Sequence, residues 1–200
     1  PIWEECIATP FIQDLQAGTM PIECFKNYMI QDSIYLKHYA RVYGKMIYHA
    51  QTLQEIQLYY SILSFVTDTE SAVRLQYLEQ FGMTDRDMEH IMSLPENKDY
   101  IDFLLETAEG GDGKEMLMAV FPCMMSYSYI FRRLASDTAS RNSRYWDFIE
   151  DYADDSYAKG CQEWSDFADW KCGGISRAEK EKLSSIFEKA SLLELEFWKM

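Results

Sequence analysis

The sequence predicts an all-α fold: a single-domain helical bundle over residues 1–200, built from about eight to ten helices. Three observations carry that expectation. Apolar residues recur at helical spacing through most of the chain, and no stretch alternates with period two between hairpin turns. Proline, serine or threonine and glycine also fall where helices start and stop. No repeat of fixed period and no low-complexity segment interrupts the pattern.

Pro10 and Phe11 open a short helical piece that ends near Gly18, and Pro21 suits the first turn of a long helix, where its missing N–H costs nothing. Phe25, Tyr28, Met29, Tyr35, Leu36, Tyr39, Val42 and Met46 then trace one apolar stripe, with Asp32 in its middle. Leu53 to Thr67 and Thr69 to Phe81 read as two helices, the second stopped by Gly82. Thr84 with Asp87 predicts a capped short helix running to Leu94, Pro95 to Lys98 a turn, and Tyr100 to Ala108 a helix. Gly110, Gly111 and Gly113 form the clearest break.

The following helix, around Glu115 to Leu134, is the least ordinary. Met116, Val120, Tyr127, Ile130 and Leu134 share a face with Cys123, so a thiol is expected to point toward the core. Pro122 cannot donate to the carbonyl of Met118, which predicts a kink beside that thiol. Asp137 to Ser143 reads as a polar loop. Tyr145, Phe148, Ile149 and Tyr152 mark one amphipathic helix, and Tyr157, Trp164, Phe167 and Trp170 another. Ser176 and Glu179 cap the last helix, whose stripe of Leu183, Phe187, Ala190 and Phe197 includes Glu194 and leaves Glu196 outside.

The net charge of −14 argues against nucleic acid or an anionic membrane as partner, since both need a basic patch. Met116 to Phe131, the longest uncharged run, is shorter than the roughly 20 apolar residues of a spanning helix. No signal-like segment opens the chain, Pro1 in place of Met suggests trimming, and five scattered cysteines without a CxxC pair suit a reduced, cytoplasmic protein. His38, His49 and His90 have no Glu three residues before them, and there is no zinc spacing, P-loop, GxGxxG or GxSxG, so neither metal nor cofactor is expected.

Asp32, Cys123 and Glu194 lie on the apolar faces of three helices far apart in sequence, and an all-α domain that packs those faces on one core is expected to bring them together. Tyr35, Tyr100, Tyr127 and Tyr152 would surround them, offering flat rings and hydroxyls that suit a planar heteroaromatic ligand. A thiol inside a helix and near carboxylates stays protonated, so covalent chemistry would need a carboxylate to take its proton during attack.

The stretches TPFIQDLQAGTMP, FKNYMIQDSIYL, FPCMMSYSYI, RYWDFIEDYADDSY and LLELEFWKM, in that order over nearly the whole length, resemble the TenA/thiaminase II family. The resemblance implies a haem-oxygenase-like helical fold, a homotetramer, and a role in thiamin salvage. The expected ligands are hydroxymethylpyrimidine, aminomethylpyrimidine and thiamin. It implies that Cys123 of the Pro-Cys motif is the nucleophile and Glu194 of Glu-x-x-Phe-Trp the acid–base group. Asp32 of Gln-Asp-x-x-Tyr would hold the amino group and a ring nitrogen, with Tyr35, Tyr100, Tyr127 and Tyr152 lining the pocket. Met125 stands where many members have Trp, which would soften the pocket wall. Two other readings stay open: a non-catalytic pyrimidine-binding or regulatory protein, and a helical interaction protein that uses its acidic surface.

Overall fold

A computed structural model describes residues 1–65, 70–88 and 90–200, and among these every regular element is helical. In chain order the helices are α1 (Ile2–Ile7), α2 (Pro10–Ala17), α3 (Ile22–His49), α4 (Leu53–Ser64), α5 (Glu70–Gln80) and α6 (Asp85–Met88). They continue with α7 (Pro95–Gly110), α8 (Gly113–Ala135), a 3₁₀ turn (Ser140–Asn142), α9 (Trp146–Ala153), α10 (Asp155–Lys171) and α11 (Arg177–Phe197). The described residues form two compact units, Pro21–Met116 and Pro1–Met20 with Leu117–Lys199.

The first unit is arranged on α3, against which α4, α5, α6 and α7 pack. All eight residues of the expected stripe, Phe25 through Met46, are buried, and Asp32 is buried with them at 4% exposure. Gln31 ties the chain before α7 to this helix. Its side-chain oxygen accepts from the backbone N–H of Leu94 (2.9 Å) and from Asn97 Nδ2 (3.0 Å), while Asn97 Nδ2 also donates to the Gln31 carbonyl (2.8 Å). Such bonds satisfy polar groups that α3 would otherwise strand in its core.

Helix α4 opens on a capping box: Thr52 Oγ1 accepts from Glu55 N–H (3.2 Å), and Glu55 Oε2 accepts from the N–H groups of Thr52 (3.2 Å) and Gln51 (2.7 Å).

The boundaries depart from the sequence expectation in three places. The expected Thr67 and Thr69 boundary lies outside the described residues. Thr84 does bind the Asp87 carboxylate through its N–H and hydroxyl, both at 2.7 Å, but α6 spans only Asp85–Met88 and does not reach Leu94. Pro95 to Lys98 is not a turn; Pro95 takes the first position of α7, where its fixed φ favours the helix and its absent N–H leaves nothing unsatisfied.

In the second unit α8 runs without a break through Pro122. Tyr157 Oη (3.4 Å) and Cys161 Sγ (3.6 Å), both on α10, donate to the carbonyl of Met124, the residue after Cys123. Tyr127, Phe131, Phe148, Tyr152 and Trp198 form an aromatic core with ring centroids 4.9 to 6.2 Å apart. The loop expected at Asp137 to Ser143 contains the 3₁₀ turn and buries Ser140 and Ser143. Trp170, expected on the inner stripe of α10, is 64% exposed, and Cys161 and Ala168 hold the buried positions instead. The Ser176–Glu179 capping box forms as the sequence predicts.

The turn after α2 depends on Gly18, whose φ of 70° is left-handed and whose α-carbon lies close to the chain at Ser143. A Cβ there would meet Ser143 Cα at 3.1 Å, in the segment where Ser143 Oγ donates to the carbonyl of Leu15 (2.8 Å). Gly18→Ala is expected to destabilise the fold by about 1–3 kcal/mol, read as a lower urea midpoint at unchanged m-value.

Candidate active site

Asp32, Tyr35 and Tyr100 belong to the unit organised on α3. The Tyr35 and Tyr100 rings lie 4.8 Å apart across α3 and α7, and the series continues along α3 from Tyr35 to Tyr39 (5.5 Å) and Tyr43 (4.9 Å), with the last two hydroxyls 3.1 Å apart. Beside this tyrosine ladder, burial raises the Asp32 carboxyl and the Arg74 guanidinium on α5 offsets part of that rise, leaving it at about 7 instead of 3.8. Near neutral pH Asp32 is therefore available both as an acid and as a carboxylate.

Arg74 carries a signal the sequence does not display. It sits in a weakly amphipathic segment where a charge reads as solvent-facing, yet its side chain is half-buried and Nη1 donates to Ser33 Oγ (2.7 Å). Ser33 in turn donates to the Met29 carbonyl (2.6 Å), anchoring the guanidinium against α3.

Cys123, Tyr127, Tyr152 and Glu194 belong to the other unit. The Tyr127 ring lies 4.9 Å from Tyr152 and 5.1 Å from Trp198, one helical turn beyond Glu194. Glu194 is buried at 1% exposure, as its place in the α11 stripe predicts. Cys123 is half-buried, whereas its spacing places it among core positions.

The other cysteines are sorted differently. Cys6 is sealed, and burial followed by the nearby Glu194 carboxylate pushes its thiol up to about 12; burial pushes Cys161 up to about 11. Neither forms thiolate near neutrality. Cys6 is a neighbour of Glu194 that helical spacing alone does not reveal, because it arrives from the packing of α1 on α11.

A groove of about 590 Å³ in the same unit is walled by Met118, Phe121, Leu183 and Phe187 with Lys180 and Asp169, and none of the expected site residues lines it. Among the described residues no group of three or more His, Cys, Asp and Glu side chains is arranged to hold a metal ion. No described helix is long and apolar enough to cross a membrane.

The family model described as "TENA/THI-4/PQQC family" matches residues 1–200. The chain belongs to the TENA/THI-4/PQQC family. This member is 30% identical over 201 residues to an aminopyrimidine aminohydrolase of Halalkalibacterium halodurans, covering 100% of this chain and 90% of that protein. A protein from Silicibacter sp. TM1040 described as a TenA family transcription regulator superposes with a TM-score of 0.89 at 26% identity, over 100% of this chain and 91% of that one. A haem oxygenase-like protein from Shewanella denitrificans superposes with a TM-score of 0.73 at 15% identity, over 98% and 85% of the two chains. The expected all-α, haem-oxygenase-like fold is thereby borne out.

The buried Asp32 has a signature in stability. Its folded pKa stands above its unfolded value, so the folded protein keeps a proton the unfolded chain releases. That contribution is fully present below about pH 4 and lost as pH rises through about 7. Asp32→Asn, neutral at every pH, is expected to raise Tm at pH 8 relative to the wild type and to flatten the decline above pH 4. An equal drop in Tm at pH 5 and pH 8 would show that the carboxyl is not held at a cost.

Proposed function

We propose that this family member hydrolyses aminopyrimidine breakdown products of thiamin to hydroxymethylpyrimidine in thiamin salvage, with thiamin itself as a further substrate. The observation that carries the reading is the end-to-end similarity to an aminopyrimidine aminohydrolase in a chain that keeps a half-buried cysteine after proline and two buried carboxyls.

Asp32 holds the aminopyrimidine edge, with one oxygen at the exocyclic amino group and the other at a ring nitrogen. A carboxyl group whose pKa lies at about 7 can supply either pattern of donor and acceptor that this edge requires. Tyr35, with Tyr100 beside it, gives the flat ring an aromatic wall, and Tyr127 and Tyr152 supply a second pair of rings.

Cys123 adds through sulfur to an electron-poor ring carbon while its proton passes to the carboxylate of Glu194. Glu194 returns that proton to the amine as the bond to the exocyclic methylene breaks, releasing ammonia from aminomethylpyrimidine. Water then adds at the methylene and gives its proton to the Glu194 carboxylate, and the sulfur leaves as the ring regains aromaticity and recovers that proton as the Cys123 thiol. One water is consumed, and one ammonia and one hydroxymethylpyrimidine are formed. A homotetramer in the cytoplasm belongs to the same proposal; light scattering should give a mass four times that of one chain.

Two variants separate this reading from a pyrimidine-binding protein without turnover. Cys123→Ser is expected to lower kcat by at least about 100-fold while hydroxymethylpyrimidine still raises Tm. Release of ammonia at the wild-type rate by this variant, with the fold intact by circular dichroism, would remove Cys123 as nucleophile. Pyrimidine binding by the wild type with no turnover on any thiamin-derived substrate would favour the regulatory reading. Pro122→Ala is expected to impair turnover more than stability, and the reverse ranking would make the proline a packing residue only.

A further inference from the structure

We propose that Arg74 is a positioning residue that decides where the proton shared by Asp32 and the bound pyrimidine resides, and so how electron-poor the ring is when the thiol adds. The inference rests on the proposed function for its substrate, and on the geometry around α3 for the residue.

Arg74 reaches α3 from α5 and is fixed there by the Nη1 to Ser33 Oγ bond of 2.7 Å, with Ser33 itself held by the Met29 carbonyl. Asp32, the preceding residue, is buried at 4% exposure. Each helix packed on α3 carries charged residues: Glu55 on α4, Arg74 and Glu79 on α5, Arg86 and Asp87 on α6, and Glu96, Lys98, Asp99, Asp102, Glu106 and Glu109 on α7. Glu55 is engaged with the backbone N–H groups of Gln51 and Thr52, Asp87 with Thr84, and Lys98 with Asp102. Among the described residues, Arg74 is the charged side chain whose field acts on Asp32.

An aminopyrimidine edge presents one N–H donor and one ring-nitrogen acceptor. A neutral carboxylic acid matches it by donating its O–H to the ring nitrogen and accepting from the amino group. A carboxylate matches the same edge equally well when the ring nitrogen carries the proton. The pair holds one proton in either case and two hydrogen bonds in either case, so the location of the proton is nearly invisible to binding. It matters for the chemistry, because a cationic ring accepts a sulfur nucleophile more readily than a neutral one. A guanidinium fixed near Asp32 stabilises the carboxylate and therefore the protonated ring, and being anchored in advance it needs no reorganisation as the sulfur adds. Arg74 never touches the ring; it acts through Asp32.

The test uses the full chain as Arg74→Gln, Arg74→Lys and Ser33→Ala, with hydroxymethylpyrimidine as the bound probe. The ultraviolet difference spectrum of the bound ring distinguishes its protonated from its neutral form. Arg74→Gln is expected to move that spectrum toward the neutral ring and lower kcat about tenfold, with Kd changed by less than about threefold. Arg74→Lys should retain the wild-type spectrum, and Ser33→Ala, which keeps the charge but removes the 2.7 Å bond to Nη1, should fall between the two.

An unaltered spectrum with unaltered kcat in Arg74→Gln overturns the inference, as does a loss confined to Kd. The ligand-free protein gives a separate readout: Arg74→Gln should extend the pH-dependent loss of Tm to higher pH, and should not do so in the Asp32→Asn background. An unchanged pH profile overturns the inference whether or not a pyrimidine binds. Failure of the wild type to bind any pyrimidine, with that profile shifted as expected, would instead overturn the proposed substrate and the ring-proton step with it.

Discussion

A carboxyl group buried on a helix otherwise faced with tyrosine, methionine and leucine is the constraint to which the α3 unit answers. Removing an ionised carboxylate from water costs several kcal/mol unless neighbouring groups offset it. Two carboxyls on these helices show two solutions. Glu55, 4% exposed, is satisfied by the backbone N–H groups of Gln51 and Thr52 in a capping box, which commits it to starting α4. Asp32, equally buried, is answered by a guanidinium that offsets only part of the desolvation, and its pKa settles at about 7. The first arrangement spends the carboxyl on structure. The second leaves its protonation open near neutral pH.

The cysteines of the other unit divide by the same physics. Cys6 and Cys161 are packed away from water, and burial, joined at Cys6 by the Glu194 carboxylate, pushes both thiols up. Cys161 has a further use, since with Tyr157 it donates to the carbonyl of Met124 and so braces the α8 backbone just beyond Cys123. That brace matters in a helix containing Pro122, because a proline removes a backbone bond from the ladder and side chains from a neighbouring helix help to hold the turn in place. Cys123 itself is neither sealed nor fully exposed.

What could be read from the sequence follows from periodicity. Asp32 and Glu194 were legible because α3 and α11 are long and strongly patterned, so a polar residue inside the stripe stands out against many apolar neighbours. The Ser176–Glu179 box and the left-handed Gly18 and Gly82 were legible because caps and stops act through local chemistry. Pro95 was misassigned because proline suits both a turn and the first position of a helix, and the choice was made by the bonds from Asn97 and Leu94 to Gln31, 66 and 63 residues away. Trp170 was misplaced because α10 turns a narrower face inward than its aromatic spacing suggests. Arg74 and Cys6 escaped entirely: their importance lies in what another helix brings beside them, and no local pattern records that.

The place of Cys6 beside Glu194 shows a buried thiol held neutral next to a carboxylate. Coupling between two titrating groups is reciprocal, so a carboxylate that discourages a thiolate would itself be discouraged by one. With Cys6 held up at about 12 the thiol stays neutral throughout the range in which a carboxyl titrates, and it adds no charge to that equilibrium. The neutral thiol fills the space on α1 with a small, apolar partner instead.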